Sequence, residues 1–304
     1  MKKVRVRAPA TLSNLGPGFD VLGLALDGLY DAVEAEARDQ PGVSLVATGP
    51  FGDRIPLDPA QNVAAYAASR VIGARGLHLV IEKQIPPGSG LGSSAASSVA
   101  AAVAAARAYG LPTTPELLLP IVRDAEGLAA GSAHLDNVAP ALLGGFVGVV
   151  GQDPPEVRRL TFPGAWWLAV VLPAHPVATK EARAILPDHI PRRDAVANLR
   201  ALTGLLDAAS RSDLPSFARH LVDRVAYPYR RPLWPFLPVA EAAALGAGAL
   251  AWSISGSGPA MFGPTDDPGR ARAITQAVVE ALASAGFGAT AYVSRVGTGA
   301  LDDL

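Results

Sequence analysis

The segment Lys83-Gln-Ile-Pro-Pro-Gly-Ser-Gly-Leu-Gly-Ser-Ser-Ala95 holds the densest chemistry in the chain. Glycine at 88, 90 and 92 permits tight turns and a close approach of backbone to a bound group. Ser93 and Ser94 then open a run of helix formers that reaches about Ala106. A glycine loop feeding a helix N-terminus aims free N–H groups and the positive end of the helix dipole at one point, which makes an anion site. Phosphate fits such a site and points to a nucleotide. No lysine follows Gly92, as a P-loop requires, and position 93 is serine where a dinucleotide fingerprint needs its third glycine. The competing reading is a glycine-rich turn without a ligand, because such turns are frequent.

Five further groups offer polar chemistry. Pro9-Ala-Thr-Leu-Ser-Asn-Leu-Gly-Pro-Gly-Phe-Asp20 carries Asn14 and Asp20. They can hold a zwitterion, Asp20 facing an ammonium and Asn14 a hydroxyl or carboxylate. Ordinary turn chemistry accounts for the same two residues. Glu126 and His134-Leu-Asp-Asn137 place a carboxylate, an imidazole and an amide in one stretch. That set can hold Mg²⁺ with a single carboxylate, since Mg²⁺ draws its other ligands from phosphates and water. Alternatively, Gly127 ends a helix beside a solvated Glu126, and Asp136 caps the next one. No His-x-x-x-His spacing favours zinc. Thr179 and Arg183 lie four apart and share a face if helical. Arg230 sits in Tyr227-Pro-Tyr-Arg-Arg231-Pro. A guanidinium fork binds a carboxylate or phosphate in bidentate fashion. Ser255-Gly-Ser-Gly-Pro259 is a second small-residue loop, suited to close backbone approach to a ligand. Position 255 is serine, so it is not the Gly-x-Ser-x-Gly elbow of a hydrolase.

These residues need elements to hold them. Patterning predicts strands over 4–8, 20–26, 29–36, 43–48 and 77–82, and helices over 62–73, 93–108 and 115–125. A buried strand over 144–150 precedes Gly151-Gln-Asp-Pro-Pro155, which reads as a linker. Beyond it come a strand at 166–172, helices at 192–210 and 214–222, a hairpin around 255–259, a helix at 268–285 and a strand at 288–294. Strands and helices without strict βαβ alternation indicate an α+β chain of two domains, 1–153 and 154–304.

Composition narrows the partners. With 304 residues, half of them hydrophobic, the chain can build two cores. A net charge of −1 gives no basic surplus for nucleic acid or an acidic membrane. The count of zero cysteines excludes disulfides, thiolate catalysis and cysteine metal sites. No apolar run follows the first lysines as in a secretory signal, and the weakly polar stretch 95–106 is far below the ~20 residues of a membrane span. A cytoplasmic location is expected.

In this order, the segments resemble the signatures of the GHMP kinases (galactokinase, homoserine kinase, mevalonate kinase and phosphomevalonate kinase), with a match over nearly the whole chain. Residues 9–23 look like the N-terminal substrate motif, 85–98 the phosphate loop and 254–262 the C-terminal glycine motif. Three segments point to the homoserine kinase branch: Asn14-Leu-Gly-x-Gly-Phe-Asp20, His134-Leu-Asp-Asn-Val-Ala-Pro140 with Gly144-Gly145-Phe146, and Pro228-Tyr-Arg230. The resemblance implies a ribosomal-S5-like N-terminal domain and a ferredoxin-like C-terminal domain. It also implies ATP-dependent, Mg²⁺-assisted phosphorylation of the L-homoserine hydroxyl, a step of threonine biosynthesis.

By position, Asn14, Asp20, His134, Arg183 and Arg230 match substrate contacts, and Glu126 with Ser94 the Mg²⁺ ligands. Asn62 falls near adenine, and Lys83 precedes the loop. Pro87, Gly88, Ser89, Gly90, Leu91, Gly92, Ser93, Ser94 and Ala95 match the phosphate cradle. Thr179, Asn137 and Arg183 fall about the reacting hydroxyl. Mevalonate kinase-like members carry an aspartate base where Asn137 stands; an amide cannot take that proton, which agrees with transfer lacking a dedicated base. Relatives of this kind are commonly dimers, so a homodimer is also expected.

Overall fold

The computed structural model describes residues 3–131, 133–175 and 179–303, without the side chains of 129, 130 and 179. The first sheet comprises β1 (Lys3–Ser13), β2 (Leu22–Arg38), β3 (Gly42–Thr48), β4 (Gly76–Glu82), β5 (Phe146–Gln152) and β6 (Pro155–Leu160). Its order is β3-β4-β2-β5-β6, with β1 also paired to β2. Only β3–β4 is parallel; the other pairs are antiparallel. β2 is one 17-residue strand rather than the two expected. Gly28 lies within it at φ 81°, so a residue that reads as a break is absorbed as an irregularity.

Helices α1 (Val63–Ile72), α2 (Ser93–Ala108), α3 (Pro115–Ala130) and α4 (Val138–Leu143) cover one face of this sheet. α2 is the centre of the layer. Residues 95–106 are all buried, and most are alanine. Small side chains let β1, β2, α1, α3 and α4 all approach the same helix, and so fix the loop at its N-terminus in a crowded, rigid place.

The second sheet has the order β10-β7-β9-β8, built from β7 (Trp167–Pro173), β8 (Ser253–Ile254), β9 (Met261–Thr265) and β10 (Ala289–Ser294). Around it lie α5 (Thr179–Ala184), α6 (Arg192–Ser210), α7 (Leu214–His220), α8 (Tyr227–Arg230), α9 (Leu237–Gly246) and α10 (Pro268–Ser284). β7 reads as continuously apolar because both faces are buried. Leu168, Val170 and Leu172 join the large core shared with the first sheet, whereas Ala169 and Val171 face the α9–α10 core.

Two sequence expectations change here. The Gly151–Pro155 segment is a hairpin turn, not a linker, because β5 and β6 pair across it from Phe146↔Leu160 to Gln152↔Pro155. The 153/154 boundary therefore falls inside the first sheet. The tail also returns to that sheet: Leu26 bridges Val296, Gly144 bridges Thr298, and Asp303 takes the Arg7 guanidinium at 2.9 and 2.8 Å. Turn residues look alike in linkers and hairpins, and long-range pairing distinguishes the two.

Candidate active site

The glycine loop of residues 83–92 connects β4 to α2 and lines a cleft of about 540 Å³. Gly88, Gly90 and Gly92 all adopt left-handed φ, at 72°, 76° and 66°. A Cβ on Gly90 would stand 2.7 Å from the Ser255 carbonyl oxygen, and one on Gly92 would stand 2.0 Å from Thr11 Oγ1. The loop carbonyls face away from the cleft. Ser89 O accepts from the Ala260 amide at 2.9 Å, Gly90 O from Ser255 Oγ at 2.6 Å, and Leu91 O from the Thr11 amide at 3.0 Å. α2 has no side-chain N-cap. Among the described residues, the amides of Gly88, Ser89, Gly90, Gly92, Ser93, Ser94 and Ala95 donate to no protein acceptor. That is a row of free donors at a helix N-terminus, the geometry that takes an anion. The Ser255–Pro259 loop braces this row from the second sheet.

Several expected nucleotide contacts take other places. Leu91 is buried in the core and its amide goes to Ser89 Oγ at 3.2 Å, so its side chain anchors the loop from behind. Ala95 is buried, which leaves only its amide. Lys83 is 1% exposed, and its ammonium meets Asp31, the Ser93 carbonyl at 2.8 Å and Ser97 Oγ at 2.9 Å. All three of its donors are occupied within the protein, so Lys83 supports the loop instead of reaching past it. Asn62 caps α1, its Oδ1 accepting from the amides of Ala64 at 2.9 Å and Ala65 at 3.1 Å. Its Nδ2 goes to the Pro56 carbonyl. With Ile55, Pro56 and Val63 it walls the far end of the cleft.

Glu126, on α3, meets Ser94 Oγ at 2.8 Å through Oε2. Burial pushes its carboxyl up, with the Ser94 hydrogen bond opposing. A carboxylate and a hydroxyl beside free loop amides suit one hard cation shared with phosphate oxygens. No group of three or more acidic or histidine side chains among the described residues forms a self-sufficient metal cage.

The other end of the cleft carries the charged pairs. The chain after β1 turns sharply, with Asn14, Leu15 and Asp20 at positive φ of 68°, 42° and 56°. Few non-glycine residues sit there, and such strain collects at functional sites. Asn14 holds the turn with both ends of its amide: Oδ1 accepts from the Asp20 amide and Nδ2 donates to the Gly256 carbonyl, each at 3.2 Å. Asp20 receives the Arg183 fork at 3.0 and 2.9 Å, and His134 Nδ1 lies 3.5 Å from its Oδ2. Arg230 is 3% exposed, and its Nε donates to the Ala182 carbonyl at 2.7 Å. The Arg183 and Arg230 guanidinium carbons stand 5.5 and 5.2 Å from the Phe19 ring centroid. Burial, with the two arginines, lowers the His134 pKa against the pull of Asp20. Burial and Arg183 likewise lower the Arg230 pKa.

Asn137 accepts from Thr11 Oγ1 at 2.8 Å through Oδ1 and lines the same cleft. Asp136 also lines it. Burial and the charges of Asp20 and Glu126 push the Asp136 carboxyl up to about 7. In the sequence Asp136 enters only as a helix cap, in the alternative reading of this segment, and is not among the expected site residues; its place one residue before Asn137 is the available signal. Thr179 opens α5, but its side chain lies outside the described residues.

Residues 60–145 match the family model for the GHMP kinases N terminal domain, and 205–284 match GHMP kinases C terminal. The homoserine kinase of Thermococcus kodakarensis is 40% identical, over 98% of this chain and 99% of its own. The Methanopyrus kandleri homoserine kinase is 44% identical over 84% and 85%. A crystal structure of homoserine kinase from Cytophaga hutchinsonii superposes with a TM-score of 0.93 at 37% identity, covering 99% of this chain and 97% of that one. A mevalonate kinase from L. major, at 16% identity and a TM-score of 0.75, shares the fold. With both family models matched and relatives aligned end to end, this chain belongs to the GHMP kinase family.

Proposed function

We propose that the cleft transfers the γ-phosphoryl group of ATP to the side-chain hydroxyl of L-homoserine, giving O-phospho-L-homoserine for threonine biosynthesis. One observation carries the reading: a row of free loop amides and a carboxylate–diarginine cluster line the same cleft. The amides suit a triphosphate. Asp20 beside Arg183 and Arg230 presents opposite charges at one end, as an α-amino acid does. A sugar or isoprenoid alcohol has no ammonium to face Asp20. The three relatives described above at 37–44% identity bear the homoserine kinase name.

Phosphoryl transfer demands positioning and charge neutralisation more than covalent help from the protein. Glu126 and Ser94 would hold Mg²⁺, which, when bound, supplies positive charge to the phosphate oxygens. The loop amides add donors that need no reorganisation at the moment of transfer. Thr11 engages the Asn137 carbonyl oxygen, which leaves the Asn137 NH₂ to orient the acceptor hydroxyl. Asp136 stands next to it, and Thr179 opens the helix that carries Arg183. Homodimer assembly rests on the resemblance, and cytoplasmic location on the sequence patterning; among the described residues no helix is long and apolar enough to cross a membrane.

A coupled ADP-release assay with homoserine, mevalonate and galactose tests the reading. Turnover with homoserine alone is expected. Preference for either other alcohol would overturn the acceptor assignment, and no turnover with any would overturn the kinase reading.

A further inference from the structure

Beneath the phosphate loop lies a buried charge network that neither the anion site nor the acceptor end uses directly. Asp31, on β2, is 0% exposed. Its Oδ1 accepts from two successive amides, Gln84 and Ile85, both at 2.9 Å. Its Oδ2 takes the Lys83 ammonium and Ser97 Oγ, the latter at 2.8 Å. Lys83 continues to the Ser93 carbonyl, and Ser93 Oγ returns to the Ile85 carbonyl at 2.9 Å.

The donor and acceptor count closes. Four donors reach the Asp31 carboxylate, and the three ammonium hydrogens of Lys83 have three acceptors. Ser97 donates to Asp31 and accepts from Lys83. A fully buried charge pair is tolerated when its remaining hydrogen bonds are satisfied, as they are here. Burial lowers the Lys83 pKa while Asp31 holds it up.

The network touches both ends of the loop and none of its middle. Residues 83–85 leave β4, residues 93–97 begin α2, and one carboxylate ties the two together. In the segment between them, the amides of Gly88, Ser89, Gly90 and Gly92 donate to no protein acceptor among the described residues. Its span is therefore fixed from below.

We propose that Asp31, acting with Lys83, is a positioning residue for the nucleotide phosphates: it sets the separation of the two loop ends and thereby the convergence of the free amides. This rests on the reading of the loop as the ATP site. Asp31 touches no substrate in that arrangement, and its effect falls on one substrate. A displacement of the loop of about 1 Å is enough to cost ~10²-fold in efficiency, whereas the acceptor end is held by other segments.

The test compares KM for ATP and for homoserine in the full-length wild type, Asp31→Asn, Lys83→Met, the double variant and Ser97→Ala. Thermal midpoints are measured alongside. Asp31→Asn and Lys83→Met are expected to raise KM for ATP on the order of 10-fold and to leave KM for homoserine within about 2-fold. The double variant should be no worse for ATP than the poorer single, because the two side chains act as one unit. Ser97→Ala, which removes one link and no charge, should raise KM for ATP about 3-fold and carries the test if the charge variants do not fold. A lowered midpoint with an unchanged ATP KM in any folded variant overturns the proposal, and so do equal losses for both substrates. A wild type that does not turn over ATP instead refutes the reading of the site.

Discussion

Arg183 and Asp20 close on each other as a bidentate pair, Nη1–Oδ2 at 3.0 Å and Nη2–Oδ1 at 2.9 Å, joining α5 to the strained turn after β1. Each charge serves as the counter-ion of the other and faces the cleft. A zwitterion presents the complementary pair, so it can take up both groups without leaving a buried charge unmatched. Asp20→Asn is expected to lower homoserine affinity by disturbing this pair, and Arg183 with it.

Arg230 gives the cleaner test of the acceptor end. Hydrogen bonds to a charged group are worth about 1.5–3 kcal/mol, or ~10- to 150-fold in affinity. Arg230→Ala should raise KM for homoserine within that range and leave KM for ATP within about 2-fold. Steady-state kinetics with each substrate varied in turn decides this; equal losses for both substrates would contradict the placement of the carboxylate.

Glu126 and Ser94 are expected to act together on the divalent ion. Glu126→Gln keeps the shape and the Ser94 contact but removes the charge. The Mg²⁺ concentration for half-maximal turnover should rise on the order of 10- to 100-fold, with a smaller rise for Ser94→Ala. A Mg²⁺ titration at saturating ATP and homoserine reads the effect. An unchanged midpoint in Glu126→Gln would move the ion elsewhere.

Asp136 makes stability depend on pH in a defined direction. Its carboxyl is pushed up to about 7 in the folded chain from an ordinary value of 3.8. The folded chain therefore keeps a proton that the unfolded chain has lost, and stability falls as pH rises across that window. The contribution is fully present below about pH 4 and is gone above pH 7. Asp136→Asn stays uncharged throughout. Its thermal midpoint relative to wild type should rise from pH 5 to pH 8, measured without divalent ions. A difference that is flat with pH would refute the buried proton.

Gly90 tests the contact between the two glycine loops. At φ 76°, with the Ser255 and Gly258 carbonyl oxygens 2.7 and 2.8 Å from an added Cβ, Gly90→Ala meets both backbone strain and overlap. A loss of about 1–3 kcal/mol in stability is expected, together with a raised KM for ATP. Chemical denaturation and kinetics check the two parts. Normal stability with normal ATP affinity would mean that the loop has room the structure does not show.

Much of the site was legible because it is local. A glycine at 88, 90 or 92 and a serine at 93 or 94 are adjacent in sequence, and the anion geometry they make needs only a strand before and a helix after. α2 followed from its run of helix formers and α10 from its helical patterning, and both came within a residue or two of their expected ends. Misreadings arose where local residues serve two purposes. Gly151–Pro155 suits a linker and a hairpin equally, and only the pairing of β6 with β5 selects one. Asp136 suits a helix cap and a cleft carboxyl equally, and only burial beside Asp20 and Glu126 separates them. Lys83 suits a phosphate contact until Asp31, 52 residues away, claims its ammonium.

The sequence alone pointed to the class of chemistry, because a strand, a glycine loop and a helix start in succession are properties of residue type and short spacing. The tertiary structure decided which polar groups share a cleft and which carry the others. Asp20 meets Arg183 across 163 positions, and Ser255 grips Gly90 across 165. Such pairings depend on how two sheets close around a common core, a long-range balance of burial and register that no local pattern encodes.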